Sequence, residues 1–137
     1  MSESKVHFFS SEPLVALLGN PNCGKTALFN LLTGSRQKVA NYSGVTVERK
    51  EGRLTLESGK NIRILDLPGA YSLYPRSLDE RVTCNVLLGR AEGEKRPDLV
   101  ICVLSAINLR RNLRLVLAAK RLGLPCVVVL NMLDIAK

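Results

Sequence analysis

Residues 19–26, GNPNCGKT, set a Cys, a Lys and a Thr among glycines and asparagines. Three chemistries compete for such a stretch: a cradle for a phosphate, a reactive-thiol turn, or a plain bend between a strand and a helix. The spacing favours the first. The G-x-x-x-x-G-K-T pattern follows a short apolar run and opens a helical one. In that setting the backbone N–H groups of the loop and of the helix N-terminus face an anion, the glycines let the main chain come close to it, and Lys25 adds a cation. Cys23 has no base in the sequence to activate it, because the single histidine, His7, precedes the first strand.

Two further motifs follow in order. DLPG, residues 66–69, closes a predicted strand, so that Asp66 can reach the water shell of a metal and the Gly69 N–H a terminal phosphate. NMLD, residues 131–134, closes another. Its Asp134 can accept two hydrogen bonds from the N1–H and 2-NH₂ edge of guanine, an edge that adenine lacks, which selects GTP over ATP. Each motif alone is weak, since turns are full of Asp and Gly. Three in order, each at a strand end, point together to one nucleotide site.

The elements that would position them alternate. LVALLG (14–19), DLVICVLS (98–105) and PCVVVLN (125–131) are continuous apolar runs, as strands buried on both faces should be. KTALFNLLTG (25–34) reads as a helix with Leu28, Leu31 and Leu32 on one side and Gly34 as its stop. A second helix is predicted near 78–89. A third, over 108–123, carries its arginines on the solvent face opposite Leu109, Leu113, Val116 and Leu117. SRQKVANYSG (35–44) has no period and is predicted as a loop, whereas 45–56 and 61–66 alternate and form a hairpin across Ser58 and Gly59. The pattern predicts an α/β fold, a mostly parallel sheet covered on both faces with one antiparallel edge strand. In such sheets ligands bind at the carboxyl ends of the strands.

Bulk properties narrow the function classes. With 137 residues and 46% hydrophobic content, the chain supports one domain. No stretch approaches the roughly 20 apolar residues of a membrane span, and the start lacks the apolar stretch of a secretory signal, so the chain is expected not to cross a membrane by itself. The four cysteines lie far apart, two of them in apolar runs, which suits a reducing compartment and neither zinc nor disulfides. The net charge of +8 would attract nucleic acid, anionic lipid or phosphorylated ligands. The charges are dispersed, however, and 4% aromatics leave little for bases to stack on, so no nucleic acid is expected.

GNPNCGKT, NYSGVTVERKEG, LDLPGAYSL, SLDE and LNMLD together resemble the cytosolic GTPase domain of FeoB, the bacterial ferrous iron transporter family. The resemblance covers about residues 13–137, after a polar lead-in over 1–12, and GVTVE and DLPGAYSL are its most discriminating parts. It implies a Ras-like P-loop NTPase fold of three layers. It also implies an enzyme that hydrolyses GTP slowly to GDP and phosphate, with Mg²⁺ and K⁺ as cofactors, as a switch for iron uptake at the cytoplasmic face of the inner membrane. A ribosome- or RNA-associated GTPase is the alternative.

Residue by residue, the match implies a nucleotide pocket of Gly19, Asn20, Pro21, Asn22, Cys23, Gly24, Lys25, Thr26 and Ala27, joined by Gly44, Val45 and Thr46 and by Asp66, Gly69, Asn131, Met132 and Asp134. Lys25 would pair with the β and γ phosphates. Thr26, Thr46 and Asp66 would serve Mg²⁺, with Thr46 closing only in the GTP state. Asn22 would hold K⁺, which can neutralise developing charge where other GTPases use an arginine finger; the plainer reading is a loop amide that braces the turn. Ala70 stands where Ras-like enzymes carry a water-orienting Gln, and slow turnover follows. Met132 replaces the Lys of the commoner N-K-x-D, which implies modest nucleotide affinity.

A domain of this type is expected to continue with a helix, a sixth strand bearing a final guanine loop and a closing helix. The chain is therefore expected to be C-terminally incomplete, with a sheet edge to cover. The partners implied are the helical spacer and membrane domain of such proteins and small Feo accessory proteins, and a homo-oligomer is allowed.

Overall fold

The computed structural model describes residues 12–21, 23–73, 76–107 and 109–131. Its strands are β1 (Leu14–Gly19), β2 (Gln37–Asn41), β3 (Glu48–Thr55), β4 (Asn61–Asp66), β5 (Leu99–Ser105) and β6 (Cys126–Asn131). Its helices are α1 (Lys25–Thr33), α2 (Leu78–Leu88) and α3 (Leu109–Arg121). All six strands join one sheet in the order β2-β3-β4-β1-β5-β6. The block β4-β1-β5-β6 is parallel, and β3 runs antiparallel to both of its neighbours.

β1 shows why its run is apolar throughout. All six residues are buried, yet they serve different faces: Leu14, Ala16 and Leu18 join one core cluster and Val15 and Leu17 another. The first cluster continues through Leu65, Val100, Cys102 and Leu104 to Val82, Val86 and Leu87 of α2 and Leu115, Val116 and Ala119 of α3. The second gathers Ile64 and Phe29 of α1. The sheet is thus sandwiched between helices, the three-layer P-loop NTPase arrangement, and its strand ends converge on the turn between β1 and α1.

Six expectations need correction. Residues 37–41 are not loop but edge strand β2, paired with β3 from Gln37↔Gly52 to Asn41↔Glu48. Every residue of β2 is exposed, so no alternation marks it in the sequence. The antiparallel strand β3 consequently lies one place in from the edge. It begins at Glu48 rather than 45 because Tyr42–Val45 is a turn, closed by Val45 N–H donating to the Tyr42 carbonyl at 3.2 Å.

The other three concern faces. α1 buries the line Lys25, Phe29 and Thr33, while Leu31 is 79% exposed. α3 buries Asn112, Leu115, Val116 and Ala119, leaving Leu109, Leu113 and Leu117 exposed. β6, apolar enough for the interior, has β5 as its one strand neighbour among the described residues, and Val127, Val128 and Leu130 are exposed.

Candidate functional site

The turn after β1 is shaped by its backbone. Gly24 precedes α1 with φ of 92°, a conformation that side chains disfavour, and a Cβ there would also run into the Asn131 amide. The N-cap of α1 is a glycine and gives no side-chain cap, which leaves this helix start open to an anion. The turn is held from several directions. Ala70 N–H donates to the Gly19 carbonyl at 2.9 Å, Cys23 N–H to the Asn20 carbonyl at 3.3 Å, and Asn131 Nδ2 to the Cys23 carbonyl at 3.0 Å. Gly69 lies so close to Pro21 that a Cβ would stand 2.9 Å from its Cγ.

Lys25 and Asp66 form the charged centre. Lys25 is the first residue of α1 and Asp66 the last of β4, and β4 lies beside β1 with Leu17 level with Asp66. Lys25 Nζ donates to Asp66 Oδ1, and both side chains are buried, 10% and 5% exposed. A buried ammonium and carboxylate at the carboxyl ends of parallel strands are stable only as a pair or with a charged ligand.

The structure brings Gly19, Asn20, Pro21, Cys23, Gly24, Lys25, Asp66, Gly69 and Asn131 together through these contacts and packing. Thr26 and Ala27 follow on the first turn of α1, both exposed. Gly44, Val45 and Thr46 lie in the segment after β2; Gly44 has φ of 77°, Val45 packs against the main core, and Thr46 is exposed. Asn22, Met132 and Asp134 lie outside the described residues. Cys23 is 2% exposed, and burial pushes its thiol up despite hydrogen bonding and charge from Lys25, so it is a packed residue and not a nucleophile.

Two residues have no site role in the sequence reading, although Glu80 closes its SLDE stretch. Glu80 is buried in the first turn of α2, whose N-cap is Ser77, with the Ser77 Oγ accepting from Glu80 N–H at 3.1 Å. Its carboxylate reaches back to accept from Tyr71 N–H at 3.4 Å and Arg76 N–H at 3.3 Å, pinning the segment after DLPG. The pattern S-x-x-E was the available signal. Asn112 of α3 is fully buried and bonds Asn20. The guanidinium of its neighbour Arg111 stands 5.5 Å from the centre of the Tyr71 ring.

The site's chemistry is that of an oxyanion cradle: free N–H donors at a helix start, a buried cation, and a carboxylate beside it. The described residues contain no group of three or more His, Cys, Asp or Glu side chains that could hold a metal, and no helix among them is long and apolar enough to cross a membrane.

The profile of a family described as ferrous iron transport protein B matches residues 14–137. The chain belongs to this family. It is similar to the Fe(2+) transporter FeoB of Escherichia coli K12, 52% identical over 127 residues, covering 90% of the chain and 16% of that protein. The FeoB-family chain thus spans 16% of the length of that relative. Among solved structures, it resembles the G domain of T. maritima FeoB with a TM-score of 0.80 at 43% identity, covering 91% of this chain and 75% of that one. An S. thermophilus NFeoB mutant bound to GDP superposes with a TM-score of 0.78 at 45% identity, covering 90% and 46% respectively. FeoB membership removes the support for an RNA-associated alternative.

Proposed function

We propose that this chain binds GTP and GDP at the β1–α1 turn and hydrolyses GTP slowly, as a K⁺-stimulated switch that regulates ferrous iron uptake at the cytoplasmic face of the bacterial inner membrane. The observation that carries the reading is the buried Lys25–Asp66 pair facing an uncapped helix start. A nucleotide would draw Lys25 to its β and γ phosphates and release Asp66. The GDP carried by the S. thermophilus relative supports the same ligand here.

The donor set fits Mg²⁺. Thr26 and Thr46 hydroxyls and the Asp66 carboxylate are all oxygen donors, and a small hard cation takes a few such ligands and completes its shell with water and phosphate oxygens. Mg²⁺ would neutralise phosphate charge. Asn22 would hold K⁺ beside the phosphates, and Asn131, Met132 and Asp134 would cover the base and select guanine.

This chain's own residues support the slow rate proposed. Ala70 is 1% exposed and its N–H already serves the Gly19 carbonyl, so neither its methyl nor its amide is placed to orient a water. Residues 42–47 and 67–77 would reorder with the γ-phosphate and pass the change to the helical spacer and membrane domain.

The test is GTP hydrolysis with Mg²⁺ in KCl against NaCl. Faster turnover in K⁺ that disappears in Asn22→Ala is the expected result. Equal rates in both salts would remove the K⁺ role, and undiminished GTP binding by Lys25→Ala would remove the site.

A further inference from the structure

α3 packs on the sheet through Asn112, Leu115, Val116 and Ala119, and Asn112 is the polar member of that stripe, with no exposed surface. Both halves of its amide are engaged. Asn112 Nδ2 donates to the Ser105 backbone carbonyl, at the end of β5, at 2.8 Å. Asn112 Oδ1 accepts from Nδ2 of Asn20, the residue directly after β1.

These bonds have a forced direction. A backbone carbonyl can only accept, so the Ser105 carbonyl fixes which end of Asn112 faces it, and Asn112 in turn fixes which end of Asn20 it receives. The Asn20 Oδ1 is left buried without a hydrogen-bond partner among the described residues. The arrangement spends an acceptor to secure an anchor, which a purely apolar contact between α3 and the turn would not require. The anchor lies at one end of the β1–α1 turn; Asn131 holds the other end through the Cys23 carbonyl.

We propose that Asn112 is a positioning residue for nucleotide binding: through Asn20 it ties the start of the phosphate-binding turn to α3 and β5. The turn's backbone donors are then preset before the nucleotide arrives, and less of the binding free energy goes into ordering them. The role rests on the nucleotide reading above. Arg111, the adjacent residue, stacks on Tyr71, so the same helix turn touches both the phosphate side and the segment after DLPG.

The experiment titrates fluorescent mant-GDP, with Mg²⁺, into the full chain and its Asn112→Ala, Asn20→Ala, double and Leu115→Ala variants. Each protein is also followed by thermal melting and, without nucleotide, by hydrogen exchange at the amides of residues 20–25. Asn112→Ala and Asn20→Ala should each weaken mant-GDP by about tenfold, the value of one hydrogen bond, and the double variant should be no worse than either. Both should also speed exchange in the turn. Leu115→Ala should lower Tm without changing the affinity of the folded protein or the exchange of the turn. If Asn112→Ala does not fold, Asn20→Ala, in the turn itself, decides the matter alone.

Native binding with unaffected variants, or single effects that add in the double variant, would overturn the Asn112 role and leave the nucleotide reading standing. Failure of the native chain to bind mant-GDP would overturn both.

Discussion

The phosphate-binding turn and two other segments, residues 42–47 and residues 71–73 with 76–77, are held by different means. The turn is clamped from distant parts of the chain: Asn131 on β6, Asn112 on α3, Ala70 after β4, and Asp66 on β4. The hydrogen bonds of the other two segments go mainly to nearby residues, Tyr42 with Val45 and Val47, and Glu80 with Tyr71 and Arg76, although Tyr42 and Val47 also pack in the main core and Tyr71 meets Arg111. Long-range clamps come apart only when the sheet and helices separate, whereas local bonds can be exchanged while the core stays intact. A switch needs both: a rigid cradle for the ligand and a border cheap enough to rearrange when one phosphate is gained or lost.

The sharpest way to break the rigid side is Gly24→Ala. The new methyl group would sit in a left-handed backbone conformation and against Asn131, so either the turn or β6's asparagine must shift. Loss of mant-GDP affinity by about a hundredfold or more is expected, with a smaller loss of stability of about 1–2 kcal/mol from the strain. An affinity within a few-fold of native would show that the clamp is not needed.

On the pliable side the effect should be smaller and of a different kind. Glu80→Ala leaves the N–H groups of Tyr71 and Arg76 without their carboxylate, so hydrogen exchange over 70–77 should accelerate and stability fall by about 1–2 kcal/mol, while mant-GDP affinity changes by less than about threefold. An affinity loss as large as that of Gly24→Ala would erase the distinction between the two regions.

The smallest effect lies away from both, and serves as a baseline. Glu51 on β3 accepts from Arg63 Nε at 2.7 Å and pairs with Arg49 at 2.8 Å. Burial raises its carboxyl, but the hydrogen bonds from Arg63 and Arg49 outweigh it and leave the group below its ordinary 4.5. A carboxyl with a lowered folded value stabilises the fold above its unfolded value and loses that contribution as pH falls through the folded one. Melting temperature should therefore drop more between pH 5 and pH 3 in the native chain than in Glu51→Gln, with nucleotide affinity at pH 7 the same in both. Equal acid sensitivity would remove Glu51 from the account.

Most of the architecture was legible because burial writes itself into sequence. β1 and β5 are apolar on both faces, α2 and α3 end or begin at recognisable caps and turns, and the hairpin between β3 and β4 alternates. β2 left no trace, since Gln37–Asn41 are held by backbone pairing with both faces exposed. On α3 the expected apolar face, Leu109, Leu113, Val116 and Leu117, shares only Val116 with the buried line of 112, 115, 116 and 119. Counting at the same spacing from Val116 would have put an asparagine in the core and raised the question of its partner.

At the site, Lys25, Asp66 and the glycines were legible from motif spacing. Asn112 was not, because its partner Asn20 lies far along the chain and only the fold brings it near; Glu80 carried the S-x-x-E signal, but that pattern does not say which further N–H groups its carboxylate takes.

The most direct test of the account is the titration of mant-GDP, with Mg²⁺, into the native chain and into Lys25→Ala, with unlabelled GTP and ATP as competitors. The account predicts saturable binding by the native chain, displacement by GTP but not by ATP, and loss of about a hundredfold or more in affinity without the buried ammonium. Equal binding by Lys25→Ala, or displacement by ATP as effective as by GTP, would contradict it.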